Sequence, residues 1–261
     1  MIRLSHSRAE SVVLGALPFV GLLVAWWAAS TFSLVSRASL PGPEAVWSAA
    51  ADLWSNGDLQ EDIKVSLGRV ALGSGIAIGL GVGLGLLAGL NRRLADILLP
   101  LAGFFNSVSG IAWIPLAITW FGLGTAAVTF IIVNAVFFLV FFNTVLGVRS
   151  VPRIMEQAVR TLGGGYRELV VHVFLPGALP HIMSGIRSGL GFGWRALIAA
   201  ELIAATSGLG FLIYDAGNYL RSDKILVGIL VIGLIWMLLE NVLLKPLERR
   251  TVERWGTVRT L

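Results

Sequence analysis

Apolar positions along the chain fall into long runs, with polar positions gathered between them. The first run, Val12 to Phe32, follows Arg3 and Arg8. Its length of about 21 residues suits a hydrocarbon core of roughly 30 Å and exceeds the roughly 7 to 15 apolar residues of a secretory signal. No A-x-A cleavage site follows, so it reads as a retained first span. The second run covers about Lys64 to Leu90. Between Asp96 and Arg149 there is no charged residue. That stretch is too long for one helix and is interrupted by FGLGT at Phe121 to Thr125, which predicts a hairpin of a third and a fourth span. A fifth runs from about His181 to Ala205 and a sixth from about Ile225 to Leu244. The pattern predicts an all-α membrane protein with six transmembrane helices. Residues 1–63 would hold the first span and an external helix, 64–245 the transmembrane core, and 246–261 a tail.

Composition agrees with this class. Hydrophobic residues make up 56% of the chain and charged residues 13%, about half the usual 25% of soluble domains. The net charge of +5 comes from residues scattered between apolar blocks. A scattered charge builds no basic face for nucleic acid, and topology accounts for it better. Arg92, Arg93, Arg149, Arg153, Arg160, Arg167 and Lys245 fall on one side of the threading, with Arg3, Arg8, Arg249, Arg250, Arg254 and Arg259 at the two ends. The other side holds Arg37, Lys64, Arg221 and Lys224. The positive-inside rule therefore places both termini in the cytoplasm and the Pro41–Asp62 segment outside. With no cysteine, disulfides, thiolate metal sites and thiol nucleophiles are excluded. Nothing in the sequence calls for a cofactor.

On the outer side, LPGPEAVWSAAADLW has Pro43 and Glu44 at a helix start, with Val46, Ala50, Leu53 and Trp54 at helical spacing. It predicts a short interfacial helix ended by Asn56 and Gly57, with tryptophans at headgroup level. The outer segment TSGLGFLIYDAGNYLRSD fits either a re-entrant turn or a short helix. In the second span, Gly75, Gly79 and Gly83 form one stripe and Gly81, Gly85 and Gly89 another. Small residues at four-residue spacing let helix backbones approach closely, which predicts a span wedged between two others. Gly83, Gly85 and Ala88 also satisfy G-x-G-x-x-A, but no strand precedes them and dinucleotide binding is excluded on context.

Polar residues inside spans are either interhelical glue or parts of a path. Asn106, Ser107, Ser109, Asn134 and Asn143 lie in the uncharged hairpin, and Arg195 and Glu201 in the fifth span. The last two, six residues apart, face different ways on a helix and do not pair with each other. Pro115 is expected to kink the third span. Candidate path residues are Asn106, Trp113, Asn134, Arg195 and Glu201.

Between the fourth and fifth spans lies EQAVRTLGGGYRELVVHVFLP, residues 156–176. Ser150 can cap a helix with Pro152 in its first turn and Ile154, Ala158 and Leu162 at four-residue spacing. Gly163 sits where a left-handed C-cap is expected. Tyr166, Leu169, Val170, Val173 and Phe174 then mark the apolar face of a second helix, ended by Pro176. Two short amphipathic helices rooted in spans make a stiff cytoplasmic protrusion over residues 151–176.

This segment resembles the E-A-A-x3-G-x9-I-x-L-P signature of binding-protein-dependent ABC importer permeases. Gly163, nine intervening residues, then Val173, Phe174, Leu175 and Pro176 match the spacing, with valine in place of isoleucine. Counting back from Gly163 puts Gln157 in the glutamate position and Ala158 next, while the acid stands one residue early as Glu156. AWIPLAITWFGLG, FLPGALPHIMSGIRSGLGFGWRALIAAEL and LPGPEAVW are similar to the branch of these permeases serving nitrate, sulfonates and taurine.

The resemblance implies the type I importer permease fold in a bacterial inner membrane, working with a cytoplasmic ABC ATPase dimer, a second permease copy and an external substrate-binding protein. It implies ATPase coupling through Glu156, Gln157, Ala158, Gly163, Tyr166, Val173, Leu175 and Pro176. The chain has no G-x4-G-K-S/T phosphate loop, so it is not itself the ATPase. An ion-coupled secondary transporter would call for paired intramembrane acids or broken helices in inverted repeats, and the sequence displays neither.

Overall fold

A computed structural model describes residues 8–32, 36 and 38–246; the expectations for Arg3, Arg37 and the tail beyond Pro246 lie outside these residues. All regular structure among them is helical. They form two compact units, one of residues up to Gln60 with Leu212–Leu230, the other of Glu61–Phe211 with Val231 onward.

The first unit contains α1 (Arg8–Thr31) and α2 (Pro43–Ser55). Pro43 opens α2 after an extended Gly42, where its missing N–H has no intrahelical partner to lose. Asn56 closes it, followed by Gly57 at φ +88°. Val46, Ala49 and Leu53 form the buried face, while Trp47 and Trp54 are exposed. The expected short helix is present, with both indoles exposed. Trp26 Nε1 donates to the Pro41 carbonyl (3.0 Å) and the Ser222 hydroxyl to that of Ala38 (2.6 Å), fastening the connection after α1.

The second unit is built from most of α3 (Asp58–Leu90), then α4 (Arg92–Ser107), α5 (Ile114–Phe121), α6 (Thr125–Arg149), α7 (Arg153–Thr161), α8 (Tyr166–Leu169) and α9 (Leu175–Ala204). Two further helices are shared between the units: α10 (Leu209–Asn218) and α11 (Ser222–Leu238), which continues as a π turn to Leu244. The segment from 206 to 223, left open by the sequence, holds a short helix, α10. Four continuous helical stretches are long and apolar enough to cross a bilayer: Asp58–Leu90, Thr125–Arg149, Tyr166–Ala204 and Ser222–Leu244.

The third predicted span is not one helix. After α4 the chain turns through extended Val108 and Ser109, takes a 3-10 turn over Gly110–Trp113, and re-enters as α5 at 87° to α4. Pro115 does not kink the helix; it sits in the first turn of α5, where a proline costs no hydrogen bond.

Helix α6 is apolar all round, and such a helix is stable only when covered on several sides. Both of its main covers use glycines. A Cβ placed at Gly81, Gly85 or Gly89 of α3 would lie 2.9 Å from Val140, 2.6 Å from Thr144 and 2.6 Å from Val148. The numbers rise together, so α3 and α6 run parallel. Across the other side, a Cβ at Gly185 or Gly193 of α9 would lie 2.7 Å from Asn143 and 2.5 Å from Val136, in descending order, so α6 and α9 are antiparallel. The stripe of Gly75, Gly79 and Gly83 meets no atom within 4 Å of such a Cβ. One of the two predicted glycine stripes is thus a packing seam; the other is not. It is α6 that is wedged between two helices.

At one end of the second unit a polar clasp joins α3, α9 and the start of α10. Arg69 Nη1 lies 2.8 Å from Glu201 Oε1, with the two side chains 3% and 0% exposed. The Ser66 hydroxyl donates to the same carboxylate (2.9 Å) and accepts from Leu209 N–H (2.9 Å). Gly210 N–H donates to Glu201 Oε2 (2.9 Å) and Gly208 N–H to Asp62 Oδ1 (2.7 Å). Arg69 also donates to the Ser207 carbonyl (2.6 Å). The first N–H groups of a helix have no partner of their own and favour negative charge, so two carboxylates cap α10. Gly208, at φ +108°, passes the Glu201 carboxyl so closely that a Cβ would come within 2.4 Å of it.

Removing one member of a buried pair leaves the other charge uncompensated, typically at a cost of about 3–5 kcal/mol, whereas replacing both with apolar groups is often neutral. Glu201→Gln, which keeps the shape and loses the charge, is expected to cost roughly 3 kcal/mol by the same reasoning and to lower the detergent melting temperature of the chain. The double variant Arg69→Met/Glu201→Leu should recover much of that loss. Tryptophan-monitored thermal unfolding reads both, and a single variant as stable as the parent would show that the clasp carries no stability.

Candidate functional site

Two regions gather the candidate residues: the segment between α6 and α9, and a cavity beside the helix break.

Helix α6 ends at Arg149, and the Ser150 hydroxyl donates back to the Gly147 carbonyl (2.8 Å). Ser150 is thus the C-cap of α6 and not the N-cap of α7; Pro152 takes that position without a side-chain bond. Among the residues of α7 none is buried. Glu156 pairs with Arg160 one turn on (2.9 Å), and Gln157 and Ala158 are exposed. The early acid is therefore neutralised within its own helix.

Gly163 has φ +81°. Its N–H bonds the Arg160 carbonyl (3.0 Å) and the Gly164 N–H bonds that of Val159 (2.9 Å), the paired contacts of a Schellman ending. The left-handed position favours glycine. At Gly164 a Cβ would strike Val159 Cγ1 at 2.5 Å, so the second glycine is fixed by space. The next helix opens with Glu168 accepting from Gly165 N–H (3.1 Å). Leu169 and Val173 of the predicted apolar stripe are buried, whereas Tyr166, at the exposed start of the same stripe, is not. Ile154, Met155, Leu162 and Tyr166 all expose large apolar surfaces among the charges of this segment. Exposed apolar groups rimmed by polar ones mark a surface that receives a partner.

Pro176 does not end the second helix. A π turn over Val170–Phe174, in which Leu175 N–H reaches back to the Val170 carbonyl, carries the chain into α9. The ladder has already shifted to five-residue spacing where the proline ring would otherwise clash. One helical rod of 39 residues, Tyr166–Ala204, results.

The cavity has a volume of about 460 Å³ and is lined by Asn106, Ser109, Asn134, Phe138, Phe192 and Arg195, among others. The break at Val108–Ser109 turns Ser109 and the start of the 3-10 turn into it; α6 supplies Asn134 and α9 supplies Arg195. Three of the five candidate path residues, Asn106, Asn134 and Arg195, converge here. The guanidinium of Arg195 lies 5.8 Å from the Phe192 ring centroid and makes no ion pair among the described residues. Amides, a hydroxyl and an uncompensated cation form a surface suited to an oxyanion.

The other two candidates lie elsewhere. Trp113 packs between Phe105 (6.0 Å) and Phe130 (6.4 Å). Glu201 is in the clasp. Asn143 bonds the Leu139 carbonyl of its own helix (2.8 Å). Sequence reasoning passed over Arg69, which holds Glu201, and over the Arg187–Glu240 pair (2.9 Å). A lone charge inside an apolar run is the signal that marks Arg187 and Glu240.

Residues 81–251 match the family described as binding-protein-dependent transport system inner membrane component. The taurine transport system permease protein TauC of Escherichia coli is 37% identical over 257 residues, 97% of this chain and 92% of that protein. The bicarbonate transport system permease protein CmpB of Synechococcus elongatus is 31% identical over 248 residues, 90% of this chain and 88% of that protein. In fold, the chain is similar to a chain of the MetNI methionine ABC transporter solved in inward-facing conformations, with a TM-score of 0.57 at 17% identity, covering 73% of this chain and 93% of that one. A helical chain with several bilayer-length apolar helices, matched to that family over most of its length, is a multi-pass membrane protein and belongs to the inner-membrane permeases of binding-protein-dependent ABC transport systems.

Proposed function

We propose that this chain is the permease of an importer for a small oxyanion of the taurine, sulfonate, nitrate or bicarbonate kind, and that the anion passes the cavity between α4, α6 and α9. The single observation that carries this reading is Arg195, a cation within a predicted span that has no counter-ion among the described residues, facing a cavity lined by Asn106, Ser109 and Asn134. A charge in that position persists only when it is wet or meets a ligand. The relatives' names point to the same chemistry, since taurine carries a sulfonate and bicarbonate is an oxyanion.

In this reading two copies of the chain pair in the bilayer. Each presents the exposed face of Ile154, Met155, Leu162 and Tyr166 to one subunit of a cytoplasmic ATPase dimer, and an external binding protein delivers the anion. Closure of the ATPases on ATP swings the segment around Gly163, and the rod from Tyr166 to Ala204 carries the swing to Arg195. Six spans follow if α1 is the first and the bent pair α4 and α5 together make the third; the arginines at Arg92, Arg93 and Arg149 then face the cytoplasm with both termini. A secondary transporter would use a pair of broken helices; one bent pair is present among the described residues.

Three measurements test this. Gly163→Val forces a branched side chain into the left-handed region, at a cost of about 1–2 kcal/mol for the L side chain alone. Membrane insertion should survive while ATP-driven uptake in vesicles is lost, and normal uptake would remove the coupling assignment. Arg195→Gln should lower uptake at least tenfold, about 1.4 kcal/mol, with ATPase assembly intact; unchanged uptake would take the cavity off the path. For topology, a cysteine at Ser55 should react with an impermeant thiol reagent in intact cells and one at Arg92 only after permeabilisation. The reverse pattern would overturn the six-span threading.

A further inference from the structure

The connection from α1 to α2 borders a cavity of about 380 Å³, lined by Trp27, Ser30, Thr31, Glu44 and Ala45 among others. All of these residues belong to the first unit. We infer that this cavity holds the headgroup of a phospholipid with a primary amine, a phosphoethanolamine, with its phosphate at the start of α2 and its ammonium beside Glu44 and Trp27.

Unused donors supply the phosphate seat. Helix α2 opens at Gly42 without a side-chain cap, and the first N–H to bond within the chain is that of Val46, to the Gly42 carbonyl (3.2 Å). Pro43 has no N–H, so those of Glu44 and Ala45, both at the cavity, are left to an outside acceptor. Ser30 adds an independent donor. The residue is 6% exposed, yet its hydroxyl makes no hydrogen bond among the described residues. In the other helices the hydroxyls of Ser107, Thr119, Thr144 and Thr161 each donate to the carbonyl four residues back. Ser30 forgoes that bond and sets its oxygen over Gly42, where a Cβ would come within 2.9 Å of it. A buried hydroxyl without a partner is costly, and a phosphate oxygen at the helix start relieves it. The lipid then acts as the cap that α2 lacks.

Glu44 decides what else the ligand carries. Its carboxylate lines the same cavity, is exposed, and makes no ion pair among the described residues. Beside a phosphate seat it would repel a simple anion, whereas a headgroup with a cation on a short link from its phosphate satisfies both ends. The indole of Trp27, on the same wall, gives an ammonium an aromatic neighbour. A primary ammonium donates charge-assisted hydrogen bonds to a carboxylate, and a trimethylated choline has no N–H to do so.

The surroundings point to a lipid as the source. Leu22, Leu23 and Val24 are each more than half exposed. Successive residues stand about 100° apart on a helix, so these three open more than half of the circumference of α1, and a partner helix covers one face only. Such a surface suits acyl chains. The cavity lies at the end of the same helix, where the apolar run stops, and Trp27 and Trp47 are both exposed beside it, as tryptophans are at headgroup level.

The test uses the permease with its ATPase in nanodiscs of equal parts phosphatidylethanolamine and phosphatidylcholine with identical acyl chains. Native mass spectrometry of the released complex reads which lipid stays bound. Phosphatidylethanolamine should be retained over phosphatidylcholine by about tenfold, the effect of one hydrogen bond between charged groups. Glu44→Gln should remove that preference, and Ser30→Val should lower retention of both lipids. Trp27→Leu, a change at an exposed side chain, should also weaken the preference and serves should Glu44→Gln fold poorly. Equal retention of the two lipids by the parent overturns the site, as does a preference that survives both Glu44→Gln and Trp27→Leu. Taurine and glycerophosphoethanolamine carry the same pair of charges without acyl chains. Displacement of the bound lipid by either at the lipid's own concentration overturns the lipid assignment in favour of a soluble zwitterion, and failure to displace it supports the lipid.

Discussion

A charge at bilayer depth must be neutralised, hydrated or matched by a ligand, and the three arginines of α3 and α9 meet that constraint in three ways. Arg69 is enclosed and paired, and with Glu201 it ties α3, α9 and the start of α10 into one corner. Arg187 is paired and half wet. Arg195 has an aromatic ring beside it and a cavity in front of it. The same side chain therefore ranges from enclosed through half-buried to exposed. At the exposed end of that series, Arg195 makes no ion pair among the described residues.

Within hydrocarbon there is no hydrophobic drive between helices, so close approach has to replace it. Glycines on both sides of α6 supply this, and α6 in turn holds α3 parallel and α9 antiparallel to itself. The consequence is mechanical. The helix that carries Arg195 is the same unbroken rod that begins at Tyr166 beside the exposed apolar segment. At about 1.5 Å per residue, Tyr166 and Arg195 are roughly 43 Å apart along it. A rigid element seated in a glycine groove can tilt or slide as a unit, which a chain broken at Pro176 could not do.

Much of this was readable from the chain. The left-handed turn at Gly163, the short helix α2 and the FGLGT interruption depend on local chemistry, where glycine, proline and spacing act over a few residues. The break at Val108–Ser109 is flanked by Asn106, Ser107 and Gly110, a turn-forming cluster, yet within an uncharged stretch the same polar residues read equally as interhelical glue or path groups. The passage through Pro176 depends on a π turn, which is a rearrangement of the hydrogen-bond ladder and leaves no composition signal. Both glycine stripes of α3 are visible in the sequence, yet only the position of α6 decides which of them is a seam. Arg69 follows the polar start of α3 and reads as part of its solvated end until Glu201 is placed beside it. For the cavity, Asn106, Asn134 and Arg195 could be nominated by polarity, while Trp113 and Glu201 shared the polarity or bulk and not the place.

The Arg69–Glu201 clasp has a consequence for the birth of the protein. Arg69 is synthesised 132 residues before the carboxylate that neutralises it. At roughly 5–20 residues per second a nascent chain waits on the order of ten seconds for that partner. During that interval α3 holds an unpaired guanidinium near one of its ends, where a long side chain reaches the headgroups by snorkelling. The helix can therefore not settle at its final depth until α9 arrives, and the N–H groups that open α10 follow within nine residues of Glu201. Completion of this corner makes the order of synthesis part of the fold, with the last helices locking the depth of an early one.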